Sequence, residues 1–377
     1  MSKFIFDANA LKRGIAIARL VKPETNDFSF QFFERFAVIF SYNKRSYVKS
    51  IVQYSQQSDV EPDYRSEEFY ITTDRIALFD TDLDKIIITV NDKNLKIRVE
   101  GDGTNRMVSL KPRALKARRP KIPDFPADLD LYEVQSKSFD HLLKQLSCSA
   151  LIRETKTEDD MRINQIHFYS DYGCAVSIAR FYATIASMNG LNFDLSIISS
   201  DLPVIRSFCS KATSETVQLC HDAARLYMID PATQSIIAFS KVTCNKPSYE
   251  SMPETDYQHS ISLNGESLKK CLSWVSLAMD GTQRLSFLVQ KNDDNGGELE
   301  IRNGTEEISR LECQIMRGGN FEADFPVKHF VSILGYLDND ITLEYQHKEL
   351  PALACIRESN LDLGIKARHY ITSMVRR

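Results

Sequence analysis

The sequence predicts an α+β fold of three similar domains, each a doubled unit of one strand followed by one helix. Three observations carry that expectation. An alternating strand runs straight into an amphipathic helix, and the pair recurs with a period of about 128 residues. The copies are Lys3-FIFDANALKRGIAIA, Tyr132-EVQSKSFDHLLKQLSC and His259-SISLNGESLKKCLSWV. A second strand–helix echo follows roughly 60 residues later, at Phe69-YITTDRIALF, Ser196-IISSDLPVIRSF and Phe321-EADFPVKHFVSIL. Much of the remaining chain reads as short strands between Asn, Asp and Gly turns.

The first domain is expected at residues 1–126. Asp7 or Asn9 suits the N-cap of its first helix, whose inward stripe is Leu11, Ile15 and Ala18. Strands follow at Phe36-AVIFSY and Tyr47-VKSIVQY around the polar turn Asn43-KR. A second helix is expected from Thr73 and Asp74, whose side chains suit a cap. Lys85-IIITV, Leu95-KIRVEG and Arg106-MVSLK then form an antiparallel meander. The proline-rich, aperiodic stretch Lys111-PRALKARRPKIPDFPADLD reads as a linker.

The second domain is expected at residues 127–253. Its strands are Ile163-NQIHFYS, Cys174-AVSIA, Phe181-YATIAS, Phe193-DLSIIS, Thr216-VQLC, Arg225-LYMI and Ser235-IIAFSK. The loop Asn245-KPSYESMPETD leads to the third domain, residues 254–377, with a hairpin turn at Asn292-DDNGG and a last strand at Leu363-GIKARHYITSM.

Composition limits the function classes. Hydrophobic content of 43% supplies real cores, and the net charge of -4 excludes bulk attraction to nucleic acid. Any such binding needs its positive groups gathered on one face. The eight cysteines show no CxxC pair, and no secretory signal precedes them, so reduced thiols in the cytoplasm are expected. No apolar run approaches the ~18 residues of a membrane span, so no membrane partner is expected.

A sheet with helices on one side buries one face of each helix and frees the other. With Leu11 and Ile15 inward, Lys12 and Arg19 fall on the free side of the first helix. In the second domain Phe139, Leu142, Leu143 and Leu146 point inward and leave His141 and Lys144 outside. In the third, Leu268, Leu272 and Val275 pack while Lys269 and Lys270 flank the stripe. The companion helices add Arg75, then Arg206 with Lys211 beyond, then Lys328. Acidic residues are scarce on these faces although the chain carries 51 Asp and Glu against 47 Lys and Arg. A single exposed lysine is ordinary solvated charge; six related helices facing one way are a surface.

Catalytic patterns are missing. There is no GxxxxGK[ST] phosphate loop, no HExxH zinc site and no GxSxG nucleophile turn. The seven histidines have no pair at metal-ligand spacing. Asp80, Asp82 and Asp84 lack the glycine and terminal glutamate of a calcium loop. The basic run Lys116-ARRPK reads as a solvated linker. Neither an active site nor a cofactor is expected.

Three repeated domains with helices basic on their free face resemble the bacterial beta-type DNA polymerase sliding clamp, a processivity factor. The resemblance covers nearly the whole chain and is most diffuse in the first domain. Its specific points are Asp124-FP at the first linker, Cys174-AVSIARFYATIAS, Lys246-PSY in place of the family's FPDY run, and the C-terminal Tyr370-ITSMVRR. The resemblance implies a head-to-tail homodimer closing into a ring, antiparallel sheets outside and helices lining a hole that holds double-stranded DNA. The residues facing phosphate would be Lys12, Arg19, Arg75, Lys144, Arg206, Lys211, Lys269, Lys270 and Lys328, touching without reading sequence.

It also implies a pocket for short peptide motifs of a DNA polymerase and a clamp loader. Carried over position by position, its wall is Ile163, Val176, Arg180, Phe181, Pro247, Met252, Ile371, Ser373, Met374, Val375 and Arg376. Such a wall suits a peptide with hydrophobic anchors and a polar lead residue. Ile178-Ala179 replaces the family's Gly-His, and Met374 its tail proline, so a different peptide is expected. The competing classes are a strand-rich scaffold ring without DNA, and a nuclease with dispersed carboxylates. The sign of charge on the repeated helices separates clamp from scaffold.

Overall fold

Among the described residues, alternation along the chain becomes three antiparallel sheets of four, eight and twelve strands. The computed structural model describes residues 2–55, 68–80, 84–91, 94–101, 103–110, 128–149, 163–179, 182–241, 245–248, 257–278, 284–292, 295–334, 339–346 and 353–372. The chain begins with β1 (Ser2–Asp7), α1 (Ala8–Ala18), β2 (Asp27–Phe32), β3 (Phe36–Tyr42), β4 (Ser46–Gln53), β5 (Glu68–Thr72), β6 (Lys85–Asn91), β7 (Asn94–Gly101) and β8 (Thr104–Leu110). Next come β9 (Tyr132–Gln135), α2 (Ser136–Ser147), β10 (Gln165–Tyr169), β11 (Cys174–Ile178), β12 (Tyr182–Met188), β13 (Ser196–Ile198), α3 (Leu202–Lys211), β14 (Thr216–His221), β15 (Arg225–Asp230) and β16 (Ser235–Ser240). The last third holds β17 (His259–Leu263), α4 (Gly265–Ala278), β18 (Arg284–Lys291), β19 (Gly296–Asn303), β20 (Glu306–Arg317), β21 (Phe321–Pro326), α5 (Val327–Leu334), β22 (Ile341–Gln346), β23 (Leu353–Asn360) and β24 (Ile365–Thr372).

The chain divides into two compact units. The first comprises Met1–Ser136 and Pro203–Lys241. It holds the meander β1-β6-β7-β8 and the eight-stranded sheet β5-β2-β3-β4-β16-β15-β14-β9. Its core packs Leu11, Ile15 and Ala18 of α1 against Phe4, Phe6, Phe28, Phe30 and Phe32. Each phenylalanine so buried contributes about 1.5–3 kcal/mol. Gly14 makes the helix–sheet contact close: a Cβ there would lie 2.3 Å from Val52 Cγ2 and 3.3 Å from Ser50 Oγ. Gly14→Ala is therefore expected to destabilise the protein by about 1–3 kcal/mol through overpacking, against its gain in helix propensity. An unchanged midpoint in denaturant would contradict that approach distance.

The second unit comprises Lys137–Leu202 and Val242–Arg377 and holds the twelve-stranded sheet. Its order is β13-β10-β11-β12-β24-β23-β22-β17-β20-β19-β18-β21. In each unit one long sheet joins strands from two of the expected sequence domains. β4 pairs with β16 in the first unit, and β12 pairs with β24 in the second.

Two local expectations are corrected. The helix expected from Thr73 is only a five-residue 3-10 turn, Arg75–Phe79. The Thr73 hydroxyl is spent on Asn26 Oδ1 at 3.0 Å, Asp74 gives no side-chain cap bond, and Asp80 leaves helical geometry. The strand expected from Phe193 is confined to Ser196–Ile198. Phe193 instead buries its ring against Phe168, with centroids 5.2 Å apart. The Asn292 turn does join a hairpin: β18 and β19 pair through Lys291 and Gly297.

Candidate functional site

The basic side of the first unit is set by helix starts and stripes. Asp7 caps α1 by accepting the Ala10 N–H at 2.8 Å. Burial of Leu11, Gly14, Ile15, Ile17 and Ala18 leaves Lys12 half-buried and Arg13 and Arg19 exposed. Lys12 Nζ lies 4.0 Å from Asp80 Oδ1. Arg75 is exposed on the 3-10 turn, which packs against α1.

Arg13 Nη1 donates to Thr213 Oγ1 at 3.2 Å, tying α1 to the loop that follows α3. That loop is fixed from below by the buried Asp230 carboxylate, which accepts the Thr213 and Ser214 N–H groups at 2.9 and 3.3 Å. Arg206 and Lys211, both half-buried, lie on the helix that enters this loop. Lys12, Arg19, Arg206 and Lys211 thus sit on two elements that one hydrogen bond joins. Arg13 is a further basic residue that sequence reasoning missed. At 100° per residue it falls 200° from Leu11, so the wheel alone had the signal.

In the second unit α4 and α5 share one apolar cluster, which the residue after α2 also joins. Cys148, just past α2, joins Leu268, Leu272 and Val275 of α4 and Phe330 and Ile333 of α5. Phe139, Leu142, Leu143 and Leu146 are fully buried, as their spacing predicts. His141 and Lys144 are half-buried rather than free. Lys269 is half-buried with its Nζ 4.0 Å from Glu266 Oε2, and Lys270 is exposed. Lys328 lies in the first turn of α5; its side chain is outside the described residues.

Two further features of α4 lie outside the sequence reading. Trp274 is 64% exposed and Leu277 87%, so its outward face turns from basic to apolar along its length. Cys271, one turn before Trp274, is half-buried and packs against the cluster shared by α4 and α5. Residues 306–313 of β20 pair only with β19 among the described residues, leaving a backbone edge. In the first unit β8 likewise pairs only with β7, and its Met107 is 71% exposed.

Four of the pocket positions expected from sequence lie in or beside described strands. Ile163 is half-buried ahead of β10, and Pro247 is half-buried in the segment 245–248. Val176 and Ile371 are both buried but do not meet. Val176 pairs with Ile185, and Ile185 with Arg368, so Val176 shares a sheet face with Tyr370. There it joins a cluster of Tyr169, Cys174, Ile185, Tyr257, Cys355 and Tyr370. Ile371 points to the other face, into the cluster under the helices. β24 ends at Thr372, just before the tail positions. Arg180, Phe181, Met252, Ser373, Met374, Val375 and Arg376 lie outside the described residues.

The 245–248 segment is tied to this cluster. Tyr169 donates its hydroxyl to Pro247 O at 2.6 Å, and Lys246 Nζ stands 5.4 Å from the Tyr169 ring centroid. Lys246 also donates to Phe168 O and to Asp194 Oδ1, both at 2.8 Å. Burial pushes the Asp194 carboxyl up, but bonds from Lys246 and Ser170 outweigh it and hold it below the usual carboxylate range.

Among the described residues no group of three or more His, Cys, Asp or Glu side chains is placed to hold a metal ion, and no helix is long and apolar enough to cross a membrane.

Sheet order, repeated strand–helix units and the placement of the helices define a sliding-clamp fold, and solved structures bear this out. The DNA polymerase III beta subunit of Thermotoga maritima superposes with a TM-score of 0.74 at 16% identity, covering 100% of both chains. The Pseudomonas aeruginosa DNA polymerase sliding clamp gives 0.75 at 12% identity over 100% of both. The beta subunit of Borrelia burgdorferi gives 0.73 at 14%, over 100% of this chain and 99% of its own. No family model matches the sequence, and no curated protein does. The chain has the fold of bacterial DNA polymerase III beta subunits.

Proposed function

We propose that this protein is a noncatalytic DNA sliding clamp: a homodimeric ring of six domains, with boundaries near residues 126 and 253, that encircles duplex DNA and tethers a polymerase. The observation that carries the reading is the sided distribution of charge on a clamp fold. Lys12, Arg13, Arg19, Arg206 and Lys211 stand on joined elements of one unit; in the other, Lys144 stands on α2, and Lys269 and Lys270 stand on α4, which shares a core with α5. An acidic chain that presents its cations in this way contacts phosphate without sequence preference.

The two backbone edges support closure into a ring. β7 and β8 carry Lys96, Arg98 and Arg106 against Glu100, whereas β19 and the edge of β20 carry Glu298, Glu300, Glu306, Glu307 and Glu312 against Arg302 and Arg310. Opposite charge and, among the described residues, a ladder unpaired on one side of each strand suit head-to-tail pairing of β8 with β20 of a second copy. Met107 on one side and Trp274 with Leu277 on the other supply the apolar part. The face bearing Val176, Tyr370 and Pro247 is assigned to peptide motifs of the polymerase and the clamp loader.

Replacing Lys12, Arg19, Lys144, Arg206, Lys269 and Lys270 together by glutamate is expected to abolish clamp-dependent processive synthesis while circular dichroism and dimer mass stay as in the wild type. Each lost phosphate contact should lower the slope of log affinity against log salt by about one. Full processivity in that variant would count against the assignment of these faces. Topological linkage is tested separately: retention on a circular duplex should vanish when the circle is cut.

A further inference from the structure

We infer that Lys246, with Asp194 and Tyr169 as its partners, is a positioning and specificity residue of the proposed peptide groove: it fastens the 245–248 segment so that Pro247 forms a fixed lip beside the Val176–Tyr370 cluster. The inference rests on the groove reading and adds to it a residue and a constraint on the peptide.

The geometry is a three-way clasp. Lys246 Nζ reaches Phe168 O at the end of β10, Asp194 in the loop before β13, and the face of Tyr169. Asp194 is in turn bonded by the Ser170 hydroxyl, which begins the turn between β10 and β11. Tyr169 completes the loop by donating to Pro247 O. Every one of these groups belongs to the second unit. A proline-containing segment without regular structure has no ladder of its own, so side-chain bonds must set its path. Here one ammonium makes two charge-assisted or carbonyl hydrogen bonds and one cation–π contact.

The clasp also fixes what the lip presents. The ammonium is neutralised by Asp194 and turned toward the sheet, so the groove side is left to Pro247 and to the aromatic body of Tyr169, whose ring meets Tyr172 edge-on at 6.5 Å. Tyr172 is itself 46% exposed. Such a lip takes an uncharged, apolar anchor and gains nothing from an acidic one.

The test uses the full-length protein and a fluorescein-labelled pentapeptide with a glutamine lead and leucine and phenylalanine anchors. Lys246→Met keeps the aliphatic stem and removes the clasp. It is expected to weaken binding about tenfold, the loss of one charge-assisted hydrogen bond, with Asp194→Asn intermediate and Lys246→Arg restoring most of the affinity. Amide exchange at Ser248 should rise in Lys246→Met while β11 and β24 stay protected, which separates a loosened lip from general unfolding. A control peptide with aspartate for the phenylalanine anchor should bind the wild type no better than background. If the wild type binds the apolar peptide and Lys246→Met binds it equally well, the inference is wrong and the groove stands. If the wild type binds neither peptide, the groove reading falls and this inference with it.

Discussion

Changing Trp274 and Leu277 together to glutamate is expected to turn the proposed dimeric ring into stable monomers. Both side chains are large, apolar and mostly in solvent on α4 in the single chain. Burying each against a second copy contributes about 2–3 kcal/mol. The substitution also adds two carboxylates to a helix that packs against β20, whose edge already carries Glu306 and Glu307. Losing roughly 4–6 kcal/mol raises the dissociation constant about a thousandfold or more. Sedimentation velocity at micromolar protein reads the outcome directly. The fold of the monomer should persist, because neither residue belongs to the core cluster of the second unit. A variant that still sediments as a dimer would remove α4 and β20 from the interface.

The second large effect is acid lability of the second unit, centred on His369. The ring is fully buried, with Nε2 3.1 Å from Gln145 Oε1 and Nδ1 3.0 Å from Thr184 Oγ1 and 3.4 Å from Cys148 Sγ. Gln145 passes the chain on to the buried Glu358 carboxylate at 3.0 Å, which Asn339 also reaches at 3.0 Å. These bonds suit a neutral imidazole donating from Nε2 and accepting at Nδ1. Burial lowers the His369 pKa to about 3, and it pushes the neighbouring Cys148 thiol up to about 11.

The folded state therefore refuses a proton that the unfolded chain binds near its ordinary value of 6.5. The stabilisation is complete above pH ~6.5 and is lost as pH falls from there toward ~3, at about 1.4 kcal/mol per pH unit. Denaturant unfolding followed by fluorescence of Trp274, the sole tryptophan, should fall by about 2–3 kcal/mol between pH 6.5 and 4.5. His369→Gln, with no group to titrate, should be less stable at neutral pH and lose that part of the slope. Equal slopes in the two proteins would exclude His369 as the source.

What the sequence reveals is local, and what it hides depends on register. The three leading helices and their stripes were legible because Leu11, Phe139 and Leu268 each begin a 3.6-residue pattern after an alternating strand. The companion helix at Thr73 was not, because its cap depends on where Asn26, distant in sequence, happens to lie. β2 alternates phenylalanine with Ser and Gln but starts from a buried Asp27, a residue that reads as a turn. The basic residues were legible one by one, whereas the joining of α1 to the α3 loop needed Thr213 and Asp230 in place.

The proposed groove shows the same limit more sharply. Val176 and Ile371 look equivalent in the sequence, yet the pairing of Tyr182 with Ile371 sends their side chains to opposite faces. One residue of register decides which. Lys246 reads as a departure from a family pattern until Asp194 and Phe168 O appear around its ammonium.

Strand pairing between sequence domains has a mechanical consequence. The β4–β16 seam holds four facing residue pairs, from Lys49 with Ile236 to Ser46 with Phe239. Among the described residues the β12–β24 seam holds seven, from Tyr182 with Ile371 to Met188 with Ile365. Torque transmitted along the chain is resisted in shear by these ladders, so the shorter one yields first. The β4–β16 seam is thus the compliant one, and the β12–β24 seam is the stiff one.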